Sequence, residues 1–413
     1  MTAGSGKSRP HDVIILGAGA SGLVCGQRAA ARGRDVLILD HGPKAARKVA
    51  VSGGGKCNFT NKRVSSADYA GENPQFCRSA LARFTPEHLV SLFSNAGIAM
   101  EEREHGQLFC RRSAADAVRF LVNFCLESGC RINLGEKVLS LELLSDGKDG
   151  ARFRVHTSQS SYLTHNVVIA LGGPAWPQVG ATDTGLQLAK DLGHPVTPIR
   201  PALAGLVMPP GWLLAGLEGI SVPASIDLVP DGSQLTIGKK RFKTAENLAL
   251  LFTHGGISGP AALQASLYWR KGLALEIDFL PSANLDALLD SPGAGKLLCK
   301  NFVRRLFPDR LAAALVPPEI AEKKCAELSR PMRDILKSFV HACRVSPART
   351  EGFARAEVTA GGVRTDSVSS RSMESKRVPG IYFCGEVLDI TGRLGGYNLH
   401  WAFASGHAAG ESI

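Results

Sequence analysis

The chain has 413 residues, of which 44% are hydrophobic and 21% are charged, and its formal net charge is +11. This length predicts about two or three domains, and the composition excludes a disordered or fibrous protein. No segment approaches the roughly 18 consecutive apolar residues that a membrane-spanning helix needs. Residues 1–11 contain no apolar signal-peptide core. We therefore expect a cytoplasmic protein without a membrane partner.

The cysteines and the positive charge are both spread along the chain. None of the 10 cysteines forms a C-x-x-C pair, which predicts reduced, buried thiols and no metal site. The basic residues are not clustered in the sequence, and aromatic residues make up only 6% of the chain. A nucleic-acid partner is therefore the less favoured interpretation of the charge, and a small-molecule substrate is favoured. The sequence leaves the oligomeric state open.

Residues 11–40 predict a complete dinucleotide-binding βαβ unit. The apolar run Val13–Leu16 is typical of a buried parallel strand, and Val36–Leu39 predicts the second strand. Between them, a G-x-G-x-x-G motif leads into a helix, with Asp40 closing the second strand. The motif residues assigned to cofactor binding are Gly17, Gly19, Ala20, Ser21 and Gly22.

Each element of this unit has a chemical role. Gly17 permits a tight turn, Gly19 lets a pyrophosphate approach the backbone, and Gly22 lets the helix pack closely on the strand. The N–H groups of the first helical turn and the helix dipole favour phosphate. Asp40 can accept hydrogen bonds from ribose hydroxyls, which favours an adenosine 2′-OH over a 2′-phosphate.

A glycine-rich segment follows at residues 47–61. Three consecutive glycines are unfavourable inside a helix or strand, and they favour a loop lying against a flat or phosphorylated ligand, with a plain surface loop as the alternative. Lys56, with Arg47 and Lys48 upstream, offers cations to a pyrophosphate. The next cysteine after Cys57 is Cys77, so a short-spaced redox dithiol is absent and a packed thiol is favoured. The candidate cofactor residues here are Lys48, Ser52, Gly53, Gly54, Lys56, Cys57 and Asn58.

The pattern of strands and helices predicts an interrupted α/β domain. Residues 1–195 and 346–413 share the strand–turn–helix pattern of one Rossmann-type nucleotide-binding domain. Residues 196–280 predict a β-rich insert, and residues 281–345 predict a helical insert. The strands predicted in the β-rich insert are Ala224–Val229, Gln234–Gly238 and Leu273–Phe279.

Two further segments predict parts of the cofactor site. Asn166–Leu171 predicts a buried strand that ends at Gly172 and Gly173, with a plain core strand as the alternative. Near the C-terminus, a strand precedes Gly385 and Glu386, and a glycine-rich turn then leads into a helix at Leu399–Ala409. The candidate residues of that turn are Gly395, Gly396, Tyr397 and Asn398. The N-terminus of this helix could stabilise negative charge on a bound ring.

Taken together, these segments resemble the HI0933-like flavoproteins, a family that includes a bile-acid reductase and an aminoacetone oxidase. The matching segments run from about residue 11 to the C-terminus and include GAGASG, KVAVSGGGKCNFTN, ALGGPAWPQVGATDTG, LFTHGGISGPAAL, EVTAGGVRT and GIYFCGEVLDITGRLGGYNLHWAFASG. The resemblance implies a FAD-binding Rossmann-type domain of the two-dinucleotide-binding-domain type, built from both ends of the chain, with a β-barrel-like plus helical insert.

The resemblance also implies the division of the site. The ADP half of FAD would be held by Gly17, Gly19, Gly22 and Asp40. The pyrophosphate and flavin loop would be lined by Lys56, Asn58 and Thr60. The ribityl chain and ring would be held by Glu386, Gly396, Tyr397 and Asn398. Four positions depart from the family pattern. Asp40 stands in place of glutamate, Lys56 in place of arginine and His400 in place of glutamine, and Trp176 stands where a smaller polar or aromatic residue is usual.

The resemblance implies an oxidoreductase with non-covalent FAD that transfers hydride at flavin N5. His400 and His254 are the candidates for proton transfer, although each is more often a structural histidine. Residues 291–296 complete neither a second dinucleotide motif nor a P-loop. If the protein is an enone-type reductase, NAD(P)H would therefore bind transiently and reduce the flavin. If it is an oxidase, an organic substrate would reduce the flavin and oxygen would reoxidise it. A flavoprotein that acts on RNA and a non-catalytic flavin-bound regulatory module are the alternatives.

Overall fold

The polypeptide divides into two compact units. A computed structural model describes residues 9–145, 148–230 and 242–413. One unit joins Met1–Arg200 to Val358–Ile413, and the other is Pro201–Glu357. These boundaries differ from the predicted positions 195 and 346. The strands and helices of the second unit share one hydrophobic core, so its β-rich and helical segments are parts of one unit.

The strands before the second unit are β1 (His11–Leu16), β2 (Val36–Asp40), β3 (Asn58–Asn61), β4 (Tyr69–Ala70), β5 (Met100–Glu102), β6 (Gln107–Cys110), β7 (Arg131–Leu134), β8 (Val138–Leu143), β9 (Phe153–Thr157) and β10 (Ser161–Ile169). β11 (Arg200–Ala202) lies at the boundary. The second unit contains β12 (Leu206–Val207), β13 (Ser221–Pro230), β14 (Phe242–Thr253), β15 (Gly256–Ser258), β16 (Leu273–Asp278), β17 (Cys343–Val345) and β18 (Arg349–Thr350). The last strands are β19 (Val358–Ala360), β20 (Ile381–Phe383) and β21 (Thr391–Gly392).

The helices of the first unit are α1 (Ala20–Ala30), α2 (Arg47–Gly55), α3 (Arg78–Arg83), α4 (Pro86–Asn95), α5 (Ala114–Glu127) and α6 (Thr184–Asp191). The second unit contains α7 (Gly259–Tyr268), α8 (Leu285–Leu289), α9 (Cys299–Val303), α10 (Asp309–Leu315), α11 (Pro318–Ala321) and α12 (Arg330–Val340). The chain ends in α13 (Tyr397–Ser412), which begins two residues before the predicted Leu399.

The core of the first unit is a parallel sheet in the order β7-β2-β1-β10-β20. Val13 pairs with Val36 on one side and with Asn166 on the other. Residues Val13–Leu16 are fully buried, as expected for a parallel strand that is covered on both faces. The N-terminal part of β10 also pairs with β9 in the antiparallel direction. This arrangement confirms the predicted Rossmann-type α/β fold.

The last helix packs against the first helix through two glycines. A Cβ atom at Gly406 would lie 2.3 Å from the carbonyl oxygen of Ser21, and one at Gly410 would lie 2.5 Å from that of Cys25. α13 can therefore lie this close to the backbone of α1 only because both positions are glycines, which have no Cβ atom. The two ends of the chain are thereby joined within one unit.

The second unit is built on an antiparallel sheet in the order β17-β16-β13-β14-β15-β12-β18. The predicted strand Ala224–Val229 lies within β13, and Leu273–Phe279 corresponds to β16. The predicted strand Gln234–Gly238 lies outside the described residues. Among the helices of the described ranges, none has both the length and the apolar character needed to cross a bilayer.

Candidate cofactor and active site

The glycine turn after β1 is fixed by close backbone contacts. Gly17 has φ +109°, and a Cβ atom there would lie 2.5 Å from the carbonyl oxygen of Ala170. A Cβ atom at Gly22 would lie 1.9 Å from the carbonyl oxygen of Gly17. At Gly19, a Cβ atom would meet nothing within 4 Å. Two glycines are therefore required by the fold, whereas the side of Gly19 is open to a ligand.

The N-terminus of α1 has the character of an anion site. Gly19 is its N-cap, no side chain of the described residues caps the helix, and its first turn contains no acidic residue. Ala20 and Ser21 are buried in this first turn. The free N–H groups and the positive end of the dipole favour a phosphate here, as the motif predicts.

Asp40 connects the end of β2 to the glycine turn. Its Oδ2 atom accepts a hydrogen bond from the Ala18 N–H at 2.9 Å. Its Oδ1 atom accepts hydrogen bonds from the Gly42 N–H at 2.7 Å and from the Arg47 guanidinium at 3.2 Å. Asp40 therefore lies beside the glycine turn, and its contact with a ribose stays a prediction. Arg47, which the sequence offers as a cation for a pyrophosphate, contacts the Asp40 carboxylate.

Asp40→Asn is expected to weaken FAD binding about 10- to 100-fold, because losing a charge-assisted hydrogen bond costs roughly 1.5–3 kcal/mol. Titration of FAD into the apoprotein measures this change. Asp35→Asn is the matched control, because Asp35 is an exposed acid that pairs with Arg131 at 2.7 Å. Equal FAD affinity of the Asp40 variant and the wild type would contradict the ribose assignment.

A cavity of about 160 Å³ lies beside Asp40 in the first unit. Its lining residues come from the ends of β2 and β10 and from two loops, namely Leu39, His41, Glu136, Lys137, Val138, Leu171, Thr182 and Thr184. The carboxylate of Glu136 accepts hydrogen bonds from the side chains of Thr157, Tyr162 and Asn133. The apolar side chains of the lining are Leu39, Val138 and Leu171. No motif marks residues 136–138, whereas Leu171, Thr182 and Thr184 lie in the segment ALGGPAWPQVGATDTG.

The glycine-rich segment leaves the helical conformation within α2. Ser52 has φ −63° and ψ 150°, and Gly53 and Gly54 have positive φ values of 56° and 64°. A Cβ atom at Gly53 would lie 2.8 Å from the Phe109 ring, whereas Gly54 is open. The segment is therefore a loop with one face on β6 and one face free, as the sequence predicts.

Two polar side chains of this loop have partners in the protein. The Lys56 ammonium donates hydrogen bonds to the carbonyl oxygens of Arg111 and Arg112, at 2.7 and 3.0 Å. The Asn58 amide meets the Gln107 side chain at 2.8 Å. Lys56 therefore anchors the loop, a role different from the predicted contact with a pyrophosphate.

Cys57 is fully buried beside a second thiol. A hydrogen bond with the Cys110 thiol, together with burial, raises the pKa of Cys57 well above its usual value. Such a thiol is unreactive at neutral pH, which is in keeping with the favoured interpretation of a packed thiol. The proximity of Cys110 is a consequence of the pairing between β3 and β6.

Glu386 joins three segments of the first unit. Its carboxylate accepts a hydrogen bond from the Thr359 N–H at 2.8 Å and pairs with the Lys48 ammonium at 2.7 Å. Gly172, with φ +71°, would place a Cβ atom 3.5 Å from the same carboxylate, and Gly173 would place one 2.6 Å from Thr359 Oγ1. The predicted residues Lys48, Gly172, Gly173 and Glu386 are thus brought together.

The C-terminal glycine turn packs against β3. A Cβ atom at Gly396 would lie 2.4 Å from the Thr60 carbonyl oxygen, and Gly395 has φ +122°. The Asn398 amide closes the turn, accepting from the Gly392 N–H at 2.8 Å and donating to its carbonyl oxygen at 2.9 Å. Tyr397 is mostly buried, and its carbonyl oxygen accepts a hydrogen bond from Tyr69. Asn398 and Tyr397 therefore shape the turn.

Gly385 connects this region to the glycine turn. Its φ is +78°, and a Cβ atom there would lie 2.6 Å from Ser21 Oγ. Its N–H donates to Ser405 Oγ at 2.9 Å. The predicted cofactor residues near both ends of the chain are therefore in contact.

His400 is fully buried, and both of its ring nitrogens have partners. Nδ1 lies 2.8 Å from Thr60 Oγ1, and Nε2 lies 3.0 Å from the Phe84 carbonyl oxygen. Burial lowers the pKa of His400 from 6.5 to about 4. These contacts tie α13 to β3, and the role of His400 in proton transfer stays a prediction.

Acid is expected to destabilise the first unit partly through His400. Because its pKa is about 4 in the folded state, against 6.5 for an ordinary histidine, the stabilisation is complete above pH about 6.5 and is lost as the pH falls towards about 4, by up to about 3 kcal/mol. His400→Gln is expected to flatten this decline in urea midpoints, and the exposed His254→Gln is the control. A variant with the same pH dependence as the wild type would contradict the assignment.

His254, the other candidate for proton transfer, lies in the second unit between β14 and β15. Its side chain is 97% exposed, and its Nδ1 atom is 3.9 Å from the Glu218 carboxylate. Its role in proton transfer stays a prediction.

Comparison with known proteins places the chain in a family. The family model of the HI0933-like protein Rossmann domain matches residues 11–412. The chain is 39% identical to a ribosomal RNA dihydrouridine synthase of Haemophilus influenzae over 98% of this chain and 99% of that protein. It is also 39% identical to the Escherichia coli protein of the same name, over 97% and 98%. A 3-dehydro-bile acid delta(4,6)-reductase of Clostridium scindens is 30% identical, over 96% and 98%. The chain therefore belongs to the HI0933-like family and is a FAD-dependent oxidoreductase with a Rossmann-type domain.

Proposed function

We propose that this protein reduces uridine to dihydrouridine in ribosomal RNA, with FAD as its resident cofactor and NAD(P)H as the electron donor. The observation that carries the proposal is the 39% identity, over nearly the full length of both chains, to proteins named for this reaction. Agreement over the whole length includes both units, so it extends beyond the cofactor domain that many functions share.

The chemistry of the relatives agrees with one reaction class. In uridine the C5=C6 double bond is conjugated with the C4 carbonyl group, and the name of the bile-acid relative indicates double bonds conjugated with a 3-oxo group. Reduction adds hydride to the carbon distant from the carbonyl and a proton to the carbon next to it. Overall, uridine, NAD(P)H and one proton give dihydrouridine and NAD(P)⁺. This class corresponds to the enone-type reduction that the sequence predicts.

The residues of the first unit fit FAD. The open side of Gly19 and the uncapped N-terminus of α1 fit a pyrophosphate, and the Asp40 carboxylate fits a ribose. The cavity that includes Val138 and Thr182 fits an adenine ring. Glu386, with its Lys48 partner, is available to a ribityl chain. A bound flavin would supply the hydride, and these residues would bind and orient the cofactor.

The positive charge also supports an RNA substrate. A net charge of +11 favours association with a polyanion through release of counterions. The sequence alone makes nucleic acid the less favoured partner, because the basic residues are not blocked together. The names of the relatives reverse this preference, since proteins of the same length and family are named for action on ribosomal RNA.

The proposal is tested with purified, FAD-loaded protein, NADPH or NADH, and unmodified ribosomal RNA made by transcription in vitro. We expect the nicotinamide to bleach the flavin and one or more uridines to gain two hydrogen atoms, detected by mass spectrometry of nuclease digests. The FAD-free Gly19→Val variant is the control. Bleaching without RNA modification, together with reduction of a small steroid enone, would replace this proposal by a small-molecule reductase of the bile-acid type.

A further inference from the structure

We propose that Arg111 and Arg112, on the loop between β6 and α5, form a phosphate-binding pair that holds the RNA substrate beside the Ser52–Lys56 loop. This inference rests on the proposed function, and it names a surface that recognises the RNA backbone.

The two arginines are exposed cations without partners. Both side chains are exposed, and within the described ranges neither guanidinium has an ion pair or a hydrogen bond. Arg103 and Arg131 of the same unit, by contrast, are paired with Glu101 and Asp35. A planar guanidinium that is free of carboxylates is available for bidentate contact with a phosphate.

The backbone that carries this pair is held in place. The Arg111 N–H donates to the Ala99 carbonyl oxygen at 2.8 Å, and the Cys110 N–H donates to the Lys56 carbonyl oxygen at 2.9 Å. The Lys56 ammonium binds the carbonyl oxygens of both arginines. Little backbone entropy is therefore lost when the pair binds a ligand.

The same contacts place the pair next to the candidate cofactor loop. Lys56 ends the glycine-rich segment, so its two hydrogen bonds join that segment directly to Arg111 and Arg112. Lys56 also adds a third positive charge. The nearest acidic residue along the chain is Asp116, in the first turn of α5, and it pairs with Arg119 at 3.6 Å. The acidic residues of the adjacent strand β5 also have basic partners, since Glu101 pairs with Arg103 and Glu102 with Lys62.

An extended polyanion fits this surface better than the cofactor does. The phosphates of FAD already have a candidate site at the N-terminus of α1, formed by the glycine turn. An RNA strand presents phosphates on both sides of the nucleotide that reacts. Contacts to these phosphates position the strand without reading its sequence.

The test compares two double variants that remove the same charge. Arg111→Ser with Arg112→Ser removes the proposed pair, and Arg304→Ser with Arg305→Ser removes two adjacent arginines of the second unit. Binding of unmodified ribosomal RNA is measured over a range of NaCl concentrations. For the first variant we expect binding to weaken about tenfold. We also expect the negative slope of log K against log [NaCl] to become shallower by about 2. For the control we expect the wild-type slope.

Three further readouts separate this role from others. FAD content and thermal unfolding are expected to stay at the wild-type level, and KM for RNA is expected to rise while kcat at saturating RNA is retained. Arg111→Lys with Arg112→Lys is expected to keep the salt dependence, because the charge remains. If the serine double variant fails to fold, each single serine variant is expected to lower the slope by about 1.

The proposal is overturned if the serine variant binds RNA with wild-type affinity and slope, if it loses FAD, or if the control pair has the same effect. Failure of the proposed function has a different signature, since the wild-type protein would then form no dihydrouridine. RNA modification by the wild type with unchanged binding by the serine variant would reject the arginine pair alone.

Discussion

Gly19→Val is expected to give a folded, colourless protein whose affinity for FAD is lower by about 100-fold or more. Gly19 has φ −83° and ψ −174°, which a valine adopts readily. A Cβ atom there meets no protein atom within 4 Å. A side chain at this position therefore begins in open space at the N-terminus of α1, where it would obstruct a ligand.

Absorbance of the bound flavin and thermal unfolding of the apoprotein measure this outcome. Gly255→Val is the matched control, because a Cβ atom at Gly255 in the second unit also meets nothing within 4 Å. We expect this control to be yellow. A yellow Gly19→Val protein would show that no pyrophosphate approaches this backbone, and the assignment of the motif would fail.

Gly406→Leu is expected to destabilise the first unit by about 3 kcal/mol or more and to reduce FAD binding. Helix propensity alone predicts the opposite sign, because leucine is favoured over glycine in a helix by almost 1 kcal/mol. The structure reverses this expectation, since the new Cβ atom would lie 2.3 Å from the backbone oxygen of Ser21. Backbone cannot rotate away as a side chain can, so α13 and α1 must separate.

Urea unfolding and FAD content measure this second effect. Ser412→Leu, near the end of the same helix and partly exposed, is the control and is expected to behave as the wild type. Because Ser21 lies in the glycine turn, movement of α1 also disturbs the candidate phosphate site. Wild-type stability of the Gly406→Leu protein would contradict the close approach of the two helices.

Much of the cofactor domain could be predicted from local patterns. The apolar run Val13–Leu16, the glycine spacing that follows and Asp40 all lie within one βαβ unit, where short-range sterics and hydrogen bonding decide the structure. The strand before Gly385 is confirmed as β20. The bounds of the second unit and its single core could not be predicted, because they depend on packing between segments distant in sequence.

The candidate site shows the same division. Sequence patterns identify Lys48 and Glu386 separately, but nothing in the pattern indicates that they form an ion pair at 2.7 Å. The sequence likewise does not indicate that His400 is buried and contacts Thr60 and Phe84, because those partners come from other segments. The cavity brings residues 136–138, which no motif marks, together with Leu171 and Thr182 of the segment ALGGPAWPQVGATDTG.

The sequence by itself determined the class of fold and the position of the glycine turn, because backbone sterics at Gly17 and Gly22 act over a few residues. It also determined the family, through motifs along its whole length. Only the tertiary structure decided which glycines are required for packing and which glycine faces open space where a ligand could bind. It also decided which carboxylates already accept hydrogen bonds from the protein and which arginines have no partner. These properties depend on contacts between residues far apart in the chain, which folding creates and local pattern does not encode.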